Sequence, residues 1–284
     1  MTIRIVTDSA SDLPPDLAAM WDITVVRCNV VLDDVGYKDG VDLSPDDFYQ
    51  KLVSSVRPVT TSQPSVADFQ SVYQKLLDEG HQVISIHVSG KLSGTFNSAE
   101  RAKHALGDSE PIAVVDSQTA SMAMGLLVLS AAQNAEQVES LEELSNLVVS
   151  ERPSTQCILA LDTLEYLQKG GRIGKAQAFL GSMLSVKPIL KLQDGEVHPV
   201  ERPRNLDRAV RRLAELAREY APIQNLGVIY STEPERATQL KELLADLMPD
   251  QGIITSRFGS TLGTYVGPKA VGVALTCGYG SSAL

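Results

Sequence analysis

The sequence predicts an α/β fold in two domains, an N-terminal parallel-sheet α/β/α domain followed by a C-terminal α+β domain with a mixed sheet. Three observations carry that prediction. Strand-like and helix-like runs alternate through the first half, the pattern of a parallel sheet with helices on both faces. The second half holds two β-rich runs, Val186 to Leu192 and Glu196 to Val200, flanking Asp194-Gly195, a strong hairpin dipeptide. Glu151-Arg152-Pro153-Ser154 lies between the halves and marks the expected boundary. The chain has 284 residues, enough for one large or two ordinary domains. The expected division is 1–152 and 153–284, with a ligand crevice between them.

In the first half, β-branched and apolar runs predict strands near 3–7, 24–32, 82–88 and 111–116. Helical spacing predicts helices near 44–55, 65–79, 96–106, 118–136 and 139–151. Ser44-Pro45-Asp46-Asp47 supplies a cap, a proline at the first helical position and acid in the first turn. Ser65 and Asp68 have capping-box spacing, and Gly80 ends the run that follows. Asp33 to Asp42 is polar and reads as an excursion. The segment Ala120 to Ala132 is apolar nearly all round, yet far short of a membrane span, so it is expected to be buried.

In the second half, strands are predicted near 156–161, 225–231, 252–258 and 270–277, with a helix at 234–247. Asp162 is expected to cap a short helix that closes at Gly170-Gly171. A further helix carries Leu206, Ala209, Val210, Leu213 and Leu216 on its apolar side. Arg202, Arg204, Arg208, Arg211, Arg212 and Arg218 cluster around it, either as a solvated face or as a patch for an acidic partner or a nucleotide.

Two hydroxyl-rich segments carry the chemistry. Thr60-Thr61-Ser62-Gln63-Pro64-Ser65 and Lys91-Leu92-Ser93-Gly94-Thr95 are each expected to be loops preceding a helix. They offer hydroxyls and free backbone N–H groups, which suit holding an anion better than breaking a bond. Ser93 and Thr95 also suit simple helix capping, whereas Thr60, Thr61 and Ser62 have no evident local duty once Ser65 is the cap. Gly94 allows close approach to the backbone. Two more strand ends, Thr7-Asp8-Ser9 and Asp116-Ser117, match in style. In an open α/β sheet such ends converge on one crevice.

In order along nearly the whole chain, Val6-Thr7-Asp8-Ser9, the Thr-Thr-Ser-Gln-Pro-Ser segment, Leu92-Ser93-Gly94-Thr95, Val115-Asp116-Ser117 and Glu165-Tyr166-Leu167-Gln168-Lys169-Gly170-Gly171-Arg172-Ile173-Gly174 resemble the DegV family. The resemblance implies a DegV-like fold and a non-catalytic protein that holds a long-chain fatty acid in a tunnel. It further implies presentation of the carboxylate to the kinase subunit of bacterial fatty acid kinase. On that basis the carboxylate-binding set is expected to be Thr61, Ser62, Ser93, Gly94, Thr95 and Tyr265. Arg172 and Arg204 are the expected kinase contacts. The family usually has a His where this chain has Tyr265, and a Gly where it has Lys269. Tyr265 still offers a hydrogen bond but no imidazolium charge. Lys269 restores positive charge if it points inward.

Composition agrees. Hydrophobic residues make up 43% and aromatic residues only 5%, so a tunnel would be mainly aliphatic. Cys28, Cys157 and Cys277 are widely spaced, which argues against a disulfide framework or zinc site and for a reducing, cytoplasmic setting. A net charge of −10 disfavours nucleic-acid partners. No apolar run reaches the ~18 residues of a membrane span, and no signal segment is visible. His81, His87, His104 and His198 form no recognisable ligand set, and Gly170 to Lys175 lacks phosphate-loop spacing, so no metal or cofactor is expected. The principal alternative is a Mg-dependent phosphotransfer or phosphohydrolase enzyme using Asp8 and Asp116. A second is an interaction protein with an empty crevice.

Overall fold

The molecule, a computed structural model, is described over residues 2–180 and 186–278. The last six positions of the expected second domain, 279–284, lie outside the described residues. β1 (Ile3–Asp8) leads through α1 (Pro15–Met20) into β2 (Thr24–Val26), β3 (Asn29–Leu32) and β4 (Val35–Lys38). α2 (Pro45–Ser54), β5 (Thr60–Ser62), α3 (Val66–Asp78), β6 (Gln82–His87), α4 (Thr95–Leu106), β7 (Ile112–Asp116), α5 (Ser121–Asn134) and α6 (Leu141–Glu151) follow. The second half runs β8 (Thr155–Ala160), α7 (Glu165–Lys169), β9 (Ile189–Gln193), β10 (Glu196–Glu201) and α8 (Leu206–Arg218). It ends with β11 (Ile223–Tyr230), α9 (Pro234–Leu243), β12 (Ile253–Arg257), α10 (Ser260–Val266) and β13 (Val271–Cys277).

Among the described residues three sheets result. A parallel sheet has the order β2-β1-β6-β7, a mixed sheet the order β10-β9-β8-β13-β11-β12, and a small antiparallel sheet the order β4-β3-β5. The expected caps form. Ser44 Oγ accepts from the Asp47 N–H, and Ser65 with Asp68 makes both halves of a capping box. The Asp194-Gly195 turn has positive φ at both residues, 52° and 79°, as a two-residue hairpin requires.

The structure departs from the sequence pattern in several places. The strand expected at 24–32 divides at Arg27-Cys28, because the Cys28 N–H leaves the sheet to donate to Ser9 Oγ at 3.0 Å. Thr60–Ser62, expected to be a loop, is the edge strand β5, paired with β3 through Val30 and Thr61. α1 and α10 were not anticipated. α10 carries Gly263 at its centre, a poor helix residue. A Cβ there would stand 2.6 Å from a Phe48 ring carbon and 2.7 Å from the Tyr49 hydroxyl, so α10 packs on α2 only with glycine in place. The short helix α7 starts after Leu164 rather than at an Asp162 cap.

α5 explains its own apolarity. It packs against β1 and β6 of the parallel sheet and against β8, β11 and β13 of the mixed sheet. Met122, Met124, Leu126 and Leu127 are fully buried there, each contributing about 1.5–3 kcal/mol of apolar burial. The opposite face of the mixed sheet is covered by α8 and α9, which form a second apolar cluster. Among the described residues no helix is long and apolar enough to cross a membrane.

Candidate functional site

Strand periodicity builds one wall of a cavity. Leu159 on β8 pairs with Leu190 on β9, Cys157 with Leu192, and Leu192 with Val197 on β10. Alternate residues of a strand share a face, so these side chains line one surface. Leu92, Leu167, Leu262 and Val266 complete the aliphatic lining. The cavity volume open to a water-sized molecule's centre is about 90 Å³. Cys28 and Cys157 also line it. Burial pushes the Cys28 thiol well up and the Cys157 thiol up to about 12, so both stay neutral and act as small apolar groups.

Polar groups gather at Thr61, Gln63, Ser93, Arg172 and Tyr265. Thr61 Oγ1 and the Tyr265 hydroxyl are 2.5 Å apart. The Tyr265 ring rests on Gly170, where a Cβ would come within 2.4 Å of it. The Arg172 guanidinium lies 5.1 Å from the Tyr265 ring centroid, a cation–π geometry. Its Nε donates to the Leu92 carbonyl at 3.1 Å and its Nη1 to the Gly170 carbonyl at 2.7 Å. The reciprocal contact joins the same helices, since a Cβ on Gly267 would stand 2.3 Å from the Tyr166 ring. The two hydroxyl-rich segments meet at Gln63 and Gly94, where a Cβ on the glycine would lie 2.8 Å from Gln63 Nε2.

Of the residues singled out from the sequence, Thr61, Ser93 and Tyr265 come together in the cavity lining. Ser62 falls on the other face of β5, exposed, with its Oγ 3.5 Å from Asn29 Nδ2. Gly94 is the N-cap of α4 and backs Gln63. Thr95 is buried behind Ser93, with the two hydroxyls 2.9 Å apart. Arg172, expected as a partner contact, is exposed and also lines the cavity. Arg204 is exposed just before α8. Lys269 does not restore charge at the mouth: it is exposed, with Nζ 3.9 Å from Glu233. Gln63 and Thr261 were missed; Gln63 lay within a quoted segment, while Thr261 sits on a helix the sequence pattern hid.

Asp8 and Asp116 are engaged elsewhere. Asp8 is fully buried and accepts from the Ala10 and Val88 N–H groups at 2.9 and 3.1 Å and from His87 Nδ1 at 2.9 Å. His87 is thus a buried strand residue; its Nε2 lies 2.6 Å from Ser85 Oγ, which in turn accepts from Tyr73. Asp116 accepts from the Gln118 N–H at 2.8 Å and from the Gly90 N–H at 3.3 Å. Both carboxylates therefore brace the turns at their strand ends. In the Arg-rich region, Arg212 pairs with Glu201, Glu215 and Glu219, and Arg218 with Asp246. Arg204, Arg208 and Arg211 remain exposed on that surface.

A family model described as "Uncharacterised protein, DegV family" matches residues 2–277. The chain belongs to the DegV family. A DegV domain-containing protein of Streptomyces coelicolor is 36% identical over 279 residues, covering 96% of this chain and 98% of the relative. A DegV family protein from Thermus thermophilus, described with fatty acid binding, has a TM-score of 0.91 at 35% identity and covers 98% of this chain and 100% of its own. A stearic acid-binding protein from Eubacterium ventriosum has a TM-score of 0.89 at 26% identity, covering 97% of this chain and 98% of its own. These likenesses extend to both DegV halves, parallel and mixed sheets alike.

Proposed function

We propose that this DegV protein binds a long-chain fatty acid in the aliphatic cavity, with its carboxylate at the Thr61, Ser93, Arg172 and Tyr265 cluster. One observation carries the reading: a cavity lined largely by leucines has a Tyr265–Thr61–Arg172 contact in its wall. Fatty acid binding by the Thermus and Eubacterium relatives supports it. Burying a methylene contributes about 0.8 kcal/mol, so ~14 of them gain on the order of 10 kcal/mol before ordering costs. An unpaired buried carboxylate would offset several kcal/mol of that gain. Hydroxyl donors and one guanidinium reduce the offset, because hydrogen bonds to a charged acceptor are the strong ones.

On this reading the chain is a carrier rather than an enzyme, working in the cytoplasm as two domains, 1–152 and 153–284, with the acid held between them. It presents the carboxylate to a fatty acid kinase subunit for acyl-phosphate formation. The exposed Arg204, Arg208 and Arg211 are the surface offered to that partner, their charge standing out against a chain of net −10.

Native mass spectrometry tests the first part. The purified chain is expected to carry a mass of a long-chain acid that solvent extraction removes, and Thr61→Ala with Ser93→Ala is expected to lower the occupied fraction. A lipid-free protein that also fails to bind added palmitate or oleate refutes it. The second part is tested by mixing loaded protein with a kinase subunit and ATP. Acyl phosphate should form with the native chain and fall when Arg204→Glu is used.

A further inference from the structure

α10 forms a cavity wall through Thr261, Leu262, Tyr265 and Val266, yet its start is held by residues distant in sequence. The first N–H groups of a helix have no partner within it. Here Ser260 N–H donates to Asp39 Oδ1 at 2.9 Å and Thr261 N–H to Asp39 Oδ2 at 3.3 Å. The Thr261 hydroxyl also donates to Asp39 Oδ2, at 2.6 Å. Beside them, the Gly259 N–H and the Ser121 hydroxyl donate to Asp12, each at 2.8 Å. Asp39 and Asp12 are both buried. A Cβ on Gly259 would lie 3.2 Å from one Asp39 oxygen and 3.3 Å from one Asp12 oxygen, so both acidic side chains close on the same backbone turn.

We propose that Asp39, assisted by Asp12, is a positioning residue of the ligand site: it anchors the start of α10 and thereby sets the Tyr265 hydroxyl against Thr61. The proposal rests on the fatty acid reading of the cavity. The helix transmits the anchor because it is short and stiff. Ser260 and Tyr265 are five residues apart, roughly 7.5 Å along the axis. A shift or fraying at the first turn therefore moves the phenol relative to β5, which belongs to the other end of the anchored contact. Asp39→Asn presents an amide N–H₂ to one of three donors that now share a carboxylate. That mismatch loosens the first turn without changing the size of the side chain.

Hydrogen exchange of the full chain without ligand reads the anchor directly. Asp39→Asn is expected to speed exchange of the amides at the start of α10 by about 10- to 100-fold, the equivalent of a lost hydrogen bond to a charged acceptor. Exchange in β6 and β13 should be unchanged. Should Asp39→Asn fold poorly, Thr261→Val removes one donor and should move the same amides in the same direction. Palmitate affinity then reads the positioning. Asp39→Asn should weaken it about tenfold in the native background and less than about twofold on top of Tyr265→Phe, since coupled residues are non-additive. Unchanged exchange at α10, or full additivity with Tyr265→Phe, overturns the proposal. A native chain that binds no fatty acid overturns the reading of the cavity instead, and the exchange experiment still decides the anchor.

Discussion

Gly170→Ala is a one-atom test of the cavity mouth. Gly170 has helical backbone angles, φ −77° and ψ −9°, so alanine fits the chain conformation there. The added Cβ would stand 2.4 and 2.5 Å from two carbons of the Tyr265 ring. Carbon atoms pack at about 3.5–4.0 Å, so the ring must retreat by ~1 Å. The Tyr265–Thr61 contact of 2.5 Å and the Arg172 stack at 5.1 Å both depend on where that ring lies. Overpacking of this kind costs about 1–3 kcal/mol, while replacing glycine returns ~0.4–1 kcal/mol through the unfolded chain. Stability should therefore change little. Ligand affinity should change more, because a displaced hydroxyl forfeits a hydrogen bond to a carboxylate worth about 1.5–3 kcal/mol, or roughly 10- to 100-fold. Calorimetric titration with palmitate checks it. The double variant Gly170→Ala with Tyr265→Ala isolates the cause, since without the ring the new methyl's nearest neighbour is the Tyr166 carbonyl oxygen at 3.2 Å. Affinity within twofold of the native chain, or an equal loss in the absence of the ring, would refute the steric argument.

Gly195→Ala should destabilise the β9–β10 hairpin by about 1–3 kcal/mol, read as a lower urea midpoint, because φ there is 79° and a Cβ would meet Ser89 Oγ at 2.5 Å. Burial holds the Asp12 carboxyl well above its ordinary value of 3.8, so the folded chain keeps a proton that the unfolded chain loses. Its contribution is complete below that ordinary value and is lost as pH rises through the folded value; urea unfolding across pH should show this slope in the native chain and a flatter one in Asp12→Asn. Palmitate affinity should be nearly constant from about pH 6 to 8, since no histidine lines the cavity among the described residues; a tenfold fall across that range would implicate another group. Leu159→Asp places an uncompensated carboxylate in the aliphatic wall and should abolish retention of the acid in native mass spectrometry, whereas Leu159→Met should preserve it.

Most of the fold was legible because its signals are local. The Ser44-Pro45 start, the Ser65/Asp68 capping box and the Asp194-Gly195 turn each act within four residues, and each appears as expected. The apolar circumference of α5 also told the truth, because only a helix between two sheets buries every side. The failures share a different cause. β5 is three residues long and owes its conformation to β3, some thirty positions earlier. α10 combines Ser, Thr, Gly and Val, a weak helical set, and is held by Asp39, Asp12 and the aromatic face of α2. No window of neighbouring residues contains those partners.

The site divides along the same line, and the division bears on its chemistry. Thr61 was visible as a hydroxyl without a local duty, and Ser93 as one that helix capping also explains. Arg172 was singled out only through the family resemblance, as a kinase contact or a source of charge at the site. Its place at the mouth follows from two carbonyls it cannot announce in sequence, those of Leu92 and Gly170, and from a ring brought by α10. That placement resolves the difficulty raised by Tyr265. A phenol in place of an imidazole keeps the hydrogen bond and gives up a switchable cation. On the fatty acid reading, a guanidinium stacked on the same phenol returns a positive charge, and it does so from the ring face, with the hydroxyl against Thr61. On that reading hydrogen bonding and charge fall to two residues on one aromatic platform, and Gly170 is the position that lets the platform lie flat.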